Sequence, residues 1–271
     1  MDDAAPRDAN SPVAALATLV AAAQRGGEIA MEYFRAGATT HASVSYKVGD
    51  SPVTEADFAV DAALKAILRA AFPHAGWLSE ETEDDSDRLA RDTVLVLDPI
   101  DGTRAFMRGD PCWAVAVALL EGGRPVAGVI HAPALGETYA AARGAGATLN
   151  GAIVRAASAA TLEGARVGGP RGLRLALAEK SGFRAEAGPP SPSLAYRLAS
   201  VAAGRLEIGL AGPGSHDWDI AAADVILHES GAGLVEGGSR VRYNQPSTRH
   251  DALVAAPLAW LARLAPARGG A

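Results

Sequence analysis

The sequence carries, at residues 94–103, the stretch Val-Leu-Val-Leu-Asp-Pro-Ile-Asp-Gly-Thr. The apolar run at 94–97 is typical of a buried strand, and two carboxylates, Asp98 and Asp101, follow at its end. Pro99 restricts the turn between them, and Gly102 lets the backbone approach a bound group closely. Ligands gather at strand ends in αβ sheets, and a buried pair of acids is costly unless cations neutralise it. The stretch therefore predicts a site for a hard cation such as Mg²⁺ or Mn²⁺; the alternative is an acidic turn in which Asp101 caps the next helix.

Three further groups of acids lie at the ends of predicted elements. Asp57 follows Thr54 at the start of a predicted helix, where the pair also fits a capping box. Glu80 and Glu81 follow a short apolar strand, where a solvated loop is the alternative. Asp219 begins a predicted helix that it could simply cap. Each signal is weak alone, but acids at four separated element ends together predict that the carboxylates converge on one site.

The pattern along the chain predicts two αβ units. Helices are predicted from Pro12, with Ser11 as the N-cap, to about residue 35, and again over residues 54–71, with a loop between them. Antiparallel strands are predicted over residues 76–153, with a hairpin turn at residues 121–124. Alternating strands and helices restart after residue 160 and include a helix over residues 194–203. This predicts an α/β (α+β) fold in which an N-terminal unit, residues 1–155, holds the metal-binding motifs. A C-terminal unit, residues 156–271, would complete the active site.

Composition excludes several classes of protein. Of the 271 residues, 25 are Lys or Arg and 31 are Asp or Glu, and the resulting formal charge of −6 argues against nucleic-acid binding through an overall positive field. The single cysteine, Cys112, excludes an internal disulfide framework and a CxxC zinc site. Residues 1–10 have no apolar core, and the apolar runs are shorter than a bilayer span, so we expect neither a signal peptide nor a membrane helix. The expected location is the cytoplasm.

Taken in order along the chain, these motifs resemble the inositol monophosphatase superfamily. The similarity runs over residues 12–255 and rests on Asp57, Glu80-Glu81, the element Asp98-Pro-Ile-Asp-Gly-Thr103 and the element Trp218-Asp219-Ile-Ala-Ala. The resemblance implies a layered αβαβα sandwich of the inositol monophosphatase and fructose-1,6-bisphosphatase type. It also implies a Li⁺-sensitive hydrolase of small phosphate monoesters that uses two to three Mg²⁺ ions, for which Mn²⁺ could substitute. Many relatives are homodimers.

The resemblance assigns metal ligands to individual residues. Glu80, Asp98 and the backbone carbonyl of Ile100 would bind the first ion. Asp98, Asp101 and Asp219 would bind the second ion, and a third, weaker ion would contact Glu80. Glu80 would thereby also take part in catalysis, and Asp219 would lie next to the substrate.

Other residues receive catalytic and substrate-binding roles from the same resemblance. Thr103 and Asp57 would orient and deprotonate the attacking water. The backbone N–H groups of Gly102 and Thr103 would hold phosphate oxygens near a helix start. Arg104 would contact the substrate, with a solvated surface arginine as the alternative.

The sequence leaves several substrates open. Inositol monophosphatases place an acid about six residues before the Trp-Asp pair, and residues 210–214, Leu-Ala-Gly-Pro-Gly, contain none. In this interval the chain is similar to bacterial 3′(2′),5′-bisphosphate nucleotidases. Those enzymes also often carry a cation at the position that matches Arg104, where it could bind a second phosphate of the substrate. The leading expectation is hydrolysis of adenosine 3′,5′-bisphosphate to AMP. The alternatives are an inositol-1-monophosphatase, another sugar or histidinol phosphatase, and a binding protein that kept the fold without catalysis.

Overall fold

The computed structural model describes residues 11–47, 49, 51–158 and 161–264. The expectation about a signal peptide concerns residues 1–10, which lie outside the described residues. None of the helices in the described ranges is both long and apolar enough to cross a bilayer.

Seven α-helices and fifteen strands are assigned in the described ranges. The helices are α1 (Pro12–Tyr33), α2 (Glu55–Ala71), α3 (Thr103–Met107), α4 (Arg171–Ser181), α5 (Leu194–Ala202), α6 (Asp217–Ser230) and α7 (Leu258–Leu264). The first nine strands are β1 (Val44–Tyr46), β2 (Pro52–Thr54), β3 (Gly76–Ser79), β4 (Thr93–Asp101), β5 (Ala114–Glu121), β6 (Arg124–Ala132), β7 (Glu137–Ala142), β8 (Gly146–Leu149) and β9 (Ala152–Val154). The others are β10 (Arg166–Gly168), β11 (Glu186–Ala187), β12 (Ile208–Ala211), β13 (Ala232–Glu236), β14 (Ser239–Arg240) and β15 (Leu253–Pro257). Ser86–Ala90 and Pro133–Leu135 form short 3₁₀ helices.

The strands form two large sheets and one small hairpin. The larger sheet has the order β3-β4-β5-β6-β7-β8-β9, and the second has the order β11-β10-β12-β15-β13-β14. We expected the first sheet to be antiparallel throughout, but β3 and β4 run parallel. Their parallel pairing brings the ends of both strands, and hence the acids that follow them, to the same edge of the sheet. Strands β1 and β2 pair in a separate antiparallel hairpin, where the sequence predicted only a loop.

The helices and sheets stack in five layers. Helices α1 and α2 pack on one face of the seven-stranded sheet, and α5 and α6 fill the space between the two sheets. Helices α4 and α7 cover the outer face of the six-stranded sheet. This αβαβα arrangement confirms the fold that the resemblance implied, while the division into units near residue 155 stays a prediction.

Strand β5 shows why the central strands are apolar throughout. Ala114, Ala116 and Ala118 face the core that contains α5 and α6, whereas Val115 and Val117 face the core under α1 and α2. Successive side chains of a strand point to opposite faces. Because helices cover both faces, both sets of residues are buried and the strand loses the usual apolar–polar alternation.

Local sequence signals determine where several of the predicted helices and turns begin. Ser11 accepts a hydrogen bond from the backbone N–H of Ala14 and so caps α1, which ends at Tyr33, two residues before the predicted limit. The hairpin between β5 and β6 turns at Gly122 and Gly123, which both have positive φ. The predicted strand–helix alternation after residue 160 is confirmed.

Helix α1 depends on two glycines that let it approach its neighbours. A Cβ on Gly26 would lie 2.8 Å from Cδ1 of Leu64 in α2, and a Cβ on Gly27 would lie 2.5 Å from Cδ2 of His131. The His131 ring is itself held by Thr138, because Nδ1 of His131 and Oγ1 of Thr138 are 2.9 Å apart. These glycines therefore set the distance between α1 and the layers beneath it.

We expect Gly27→Ala to lower the free energy of unfolding by about 1–3 kcal/mol, because the new methyl group overpacks the contact with His131. The matched control is Gly172→Ala in α4, where an added Cβ meets no atom within 4 Å. That substitution should leave stability unchanged or raise it by less than about 1 kcal/mol. Urea unfolding of the two variants measures both effects, and equal changes would contradict the packing argument.

Candidate metal centre

Three carboxylates meet where β4 ends and α6 begins. Asp98, Asp101 and Asp219 each place one oxygen so that all three oxygens lie within 4.8 Å of one another. Asp98 and Asp101 are almost fully buried. The sequence predicted this convergence of the strand-end pair with the acid at the start of α6.

A bulge at the end of β4 turns both of its acids to the same side. Asp98 lies opposite Ala116 and Asp101 lies opposite Ala114, so a step of three residues on β4 matches a step of two on β5. Without the extra residue, side chains three positions apart would point to opposite faces. The backbone N–H of Ile100 donates to Oδ1 of Asp98 at 3.0 Å and holds this carboxylate within the turn.

Asp101 is held by the start of α5, far away in the sequence. Its Oδ2 accepts hydrogen bonds from the Ser193 hydroxyl and, at 2.6 Å, from the backbone N–H of Ala195. The positive end of the α5 dipole thus faces this carboxylate. The alternative in which Asp101 caps the next helix is wrong, because Gly102 occupies that position.

Gly102 has a left-handed conformation, with φ of +94°. A Cβ at this position would come within 3.3 Å of the Cys112 carbonyl oxygen and of Cα of Ser193. Glycine is therefore required both by the backbone conformation and by the close approach of two other segments.

Asp219 lies in the first turn of α6, but it is not the N-cap. The helix begins at Asp217 with His216 as the cap, two residues earlier than predicted. Oδ2 of Asp219 accepts a hydrogen bond of 2.6 Å from the backbone N–H of His216. From the sequence, His216, three residues before Asp219, could approach the site or, as we favoured, be an exposed loop residue. Its ring is partly buried and stacks on Trp218 with centroids 4.5 Å apart.

The local electrostatics show an excess of buried negative charge. Burial and the neighbouring carboxylates Glu80 and Asp101 raise the pKa of Asp98 well above its usual value. Burial and the charge of Asp101 do the same to the pKa of Asp219. The pKa of Asp101 rises only to about 6, because the hydrogen bonds from Ser193 and Ala195 oppose the effect of burial. These carboxylates are difficult to ionise together, and a bound divalent cation would stabilise their ionised forms. Because all the donors are oxygens, the site fits Mg²⁺ or Mn²⁺.

Asp57 and Thr103 lie next to each other beside the cluster. Oδ2 of Asp57 accepts hydrogen bonds from the backbone N–H of Thr54 at 2.8 Å and from its hydroxyl at 2.6 Å. The other oxygen, Oδ1, lies 3.5 Å from the Thr103 hydroxyl, which also donates to the Ile100 carbonyl at 3.1 Å. Burial raises the pKa of Asp57 to about 6. The structure thus joins the two residues to which the resemblance gives the activation of water.

Glu80 reaches the same edge through the parallel pairing of β3 with β4. Its backbone N–H donates to the Leu97 carbonyl at 3.2 Å, which places it beside Asp98. Its carboxylate lies outside the three-oxygen cluster and pairs with the ammonium group of Lys47 at 3.0 Å, and Lys47 also binds Glu81 at 2.7 Å.

The charge of Lys47 only partly offsets the burial of Glu81, and the pKa of Glu81 rises to about 7. Asp61 supports the turn that carries Glu80 and Glu81 by accepting hydrogen bonds from the hydroxyls of Ser79 and Thr82.

Sequence reasoning missed three supports of the site. Lys47 comes from the undetected β1–β2 hairpin, and Ser193 lies in a stretch that was predicted only as the approach to a helix. Asp217 is buried, accepts from the Asn244 backbone N–H at 2.9 Å and lies 2.8 Å from Nε2 of His250. The signal in the sequence that could have revealed the role of Asp217 is its position, two residues before Asp219.

Two other predictions concern residues around the cluster. Arg104 is exposed on α3, directly after Thr103. Cys112 is buried, as expected of a core residue, and burial raises the pKa of its thiol to about 11.

We expect the metal-free protein to lose stability as the pH rises from about 4 to 7. The folded-state pKa of Asp57, about 6, lies above the usual value of 3.8, so the folded state binds more protons than the unfolded state in this window. The free energy of unfolding then falls with rising pH, by about 1–3 kcal/mol for a carboxyl of this kind. Urea unfolding at pH 4.5 and 7.5 after removal of divalent ions measures the loss.

The variant Asp57→Asn should show a smaller decline than the unmodified protein, whereas Asp87→Asn at an exposed position should show the same decline. Addition of Mg²⁺ at pH 7.5 should restore stability, because metal binds the ionised carboxylates. A decline in Asp57→Asn as large as in the unmodified protein would contradict this assignment.

Comparison with known proteins agrees with the geometry. The profile of the Inositol monophosphatase family matches residues 11–268. The inositol-1-monophosphatase of Mesorhizobium japonicum is 35% identical over 236 residues, which cover 80% of this chain and 84% of that protein. The histidinol-phosphatase of Mycobacterium tuberculosis is 36% identical over 214 residues, which cover 72% of this chain and 80% of that protein.

A solved structure gives the same result. The IMPase of Thermotoga maritima matches with a TM-score of 0.76 at 27% identity, over 90% of this chain and 92% of that one. The match extends through both sheets and is not confined to the acidic motifs. The chain therefore belongs to the inositol monophosphatase family, whose members are phosphatases that hydrolyse phosphate monoesters.

Proposed function

We propose that this phosphatase uses two to three Mg²⁺ ions to hydrolyse a small metabolite that carries a second anionic group besides the scissile phosphate. Adenosine 3′,5′-bisphosphate, hydrolysed to AMP, is the leading candidate. The observation that supports the metal dependence is the cluster of Asp98, Asp101 and Asp219, whose oxygens converge within 4.8 Å in a largely buried site.

In this proposal, different residues at the cluster bind the metal ions and orient the water molecule. Asp98, Asp101, Asp219, Glu80 and the Ile100 carbonyl would hold the divalent ions. When bound, such ions neutralise phosphate oxygens and stabilise the leaving oxygen of an in-line displacement. The Thr103 hydroxyl lies between Asp57 and the Ile100 carbonyl, where it can orient a water molecule.

Asp57 is the general base in this proposal. One of its oxygens is fixed by Thr54, and the other faces Thr103. Its pKa of about 6 leaves it mostly ionised at neutral pH and still able to accept a proton. The backbone N–H groups of Gly102 and Thr103, at the start of α3, would bind phosphate oxygens.

Charges around the cluster support a substrate with a second anion. The segment at 210–214, which covers the end of β12 and the residues that follow it, contains no carboxylate to bind inositol hydroxyls. Arg249 lies against this segment instead, since a Cβ on Gly214 would be 3.0 Å from its Nη2. Burial, and after it the charge of Arg249, lowers the pKa of His216 in the same region. Arg104, exposed on α3 directly after Thr103, is the second cation that we propose for this role.

The second candidate is a monophosphatase for inositol, another sugar or histidinol phosphate. The observation that favours it is the identity of 35% or more to an inositol-1-monophosphatase and a histidinol-phosphatase over most of the chain. The names of these two relatives state different substrates at almost the same identity to this chain, so overall similarity does not decide between the candidates and the surroundings of the cluster must.

A phosphate-release panel tests the substrate directly. With Mg²⁺, we expect the highest kcat/KM for adenosine 3′,5′-bisphosphate among a set that includes inositol 1-phosphate, fructose 1,6-bisphosphate and histidinol phosphate. Arg104→Ala should lower kcat/KM for the bisphosphate by about tenfold or more through a lost charge-assisted contact, with little effect on inositol 1-phosphate. Arg108→Ala, at the exposed end of the same helix, is the matched control.

Three results would contradict parts of the proposal. Preference for inositol 1-phosphate or histidinol phosphate would establish the second candidate. Equal losses for both substrates in Arg104→Ala would remove the role of Arg104 in binding a second anion. Absence of phosphate release from every substrate would contradict catalysis itself.

The metal assignment predicts a separation of activity from stability. Asp98→Asn should lower kcat by more than about 100-fold, since it removes a ligand shared between ions. It should not lower the free energy of unfolding of the metal-free protein at neutral pH, because it removes one of several buried like charges. Asp92→Asn, at the exposed start of the same strand, should retain activity, and full activity of Asp98→Asn would refute the assignment.

A further inference from the structure

A second cavity lies apart from the carboxylate cluster and shares no residue with it. Its volume is about 540 Å³, and its walls come from the β5–β6 turn, α6, and the β13–β14 hairpin with the segment that follows it. Sites for small molecules commonly have volumes of about 300–1,000 Å³. The cavity is therefore large enough for a metabolite.

Arginines dominate the charge of this cavity. Arg124, Arg143, Arg240 and Arg242 all line it, and all four are exposed. Within the described ranges none of them forms a salt bridge, although Arg143 donates a hydrogen bond to the Pro125 carbonyl at 3.3 Å. In a chain with a net charge of −6, four guanidinium groups around one cavity form a local field of the opposite sign.

The carboxylate that lines the cavity is already engaged. Asp224, on α6, accepts a hydrogen bond of 3.0 Å from the hydroxyl of Tyr243, which also lines the cavity. Burial raises the pKa of Asp224 to about 6. The Tyr243 hydrogen bond and the charge of Arg240 oppose this rise, so Asp224 offsets part of the positive field of one arginine, but among the described residues it forms no salt bridge with any of the four.

From this geometry we propose that the cavity is a second binding site, for a small molecule with phosphate groups. The guanidinium group presents parallel N–H donors that match two oxygens of a phosphate, and four such groups around one cavity suit an anion with more than one negative charge. His228, at the end of α6, adds a fifth group that can donate to such an anion.

The cavity is connected to the catalytic centre through two segments. Helix α6 carries Asp219 in its first turn and Asp224 on the cavity wall, five residues and about 7.5 Å further along its axis. The second segment contains Tyr243 and lines the cavity, and the next backbone N–H, of Asn244, donates to Asp217. A bound ligand therefore contacts both segments that meet at the start of α6.

Titration calorimetry with pyrophosphate on the metal-free protein tests this proposal. Without divalent ions the catalytic cluster presents carboxylates that repel pyrophosphate, so binding reports the arginine-lined cavity and does not depend on the proposed catalytic activity. We expect one pyrophosphate to bind per chain. The double variant Arg240→Gln/Arg242→Gln should weaken this binding by about tenfold or more, since each arginine contributes charge-assisted hydrogen bonds.

The matched control is Arg155→Gln/Lys180→Gln, which removes two exposed cations that do not line the cavity. Unchanged binding in this control, with weakened binding in the first variant, supports the site. The proposal is overturned if the unmodified metal-free protein does not bind pyrophosphate, or if both double variants lose affinity equally. Citrate binding as tight as pyrophosphate binding would overturn the assignment to a phosphate ligand.

Discussion

The mutual repulsion of buried carboxylates is the constraint on which the rest of this site depends. Asp57, Asp98, Asp101 and Asp219 are each held by hydrogen bonds from backbone N–H groups, at the start of a helix or in a strand-end turn. In each case the donors fix one oxygen of the carboxylate and thereby orient the other. The fold thus buries these carboxylates close together. Burial is the main cause of their raised pKa values, and the charges of neighbouring carboxylates raise the pKa values of Asp98 and Asp219 further. In the proposed function a divalent cation would offset the cost of ionising these carboxylates, so that one ligand set would serve both folding and catalysis.

The sequence was informative wherever a local signal decided the structure. Ser11 and Pro12 specify the start of α1, and the paired glycines specify the β5–β6 hairpin. Three of the acids at element ends, Asp98, Asp101 and Asp219, converge, whereas the Glu80 carboxylate pairs with Lys47 outside their cluster. The start of α6 was placed two residues late because His216 and Asp217 lie outside the apolar pattern of the helix. That error made Asp219 look like a cap, although its hydrogen bond to the backbone of His216 serves a related purpose.

What the sequence could not show depends on contacts between distant segments. Ser193 and Asp101 are 92 residues apart, and no periodicity relates them. The parallel pairing of β3 with β4, which brings Glu80 beside Asp98, follows from the packing of the whole sheet. The same holds for the arginines of the second cavity, which come from three separate turns and strands. The net charge of the chain revealed neither the carboxylate cluster nor the arginine-lined cavity, because acids gather at the start of α6 and cations gather near its other end.

Anomalous diffraction from crystals grown with Mn²⁺ tests the central claim most directly. The account predicts anomalous peaks bridged by Asp98, Asp101 and Asp219, at about 2.1 Å from their oxygens, with Asp57 and Thr103 facing them. Peaks at other positions only, or no peak in this cluster at saturating Mn²⁺, would contradict the claim that the buried carboxylates are assembled to hold the catalytic metal.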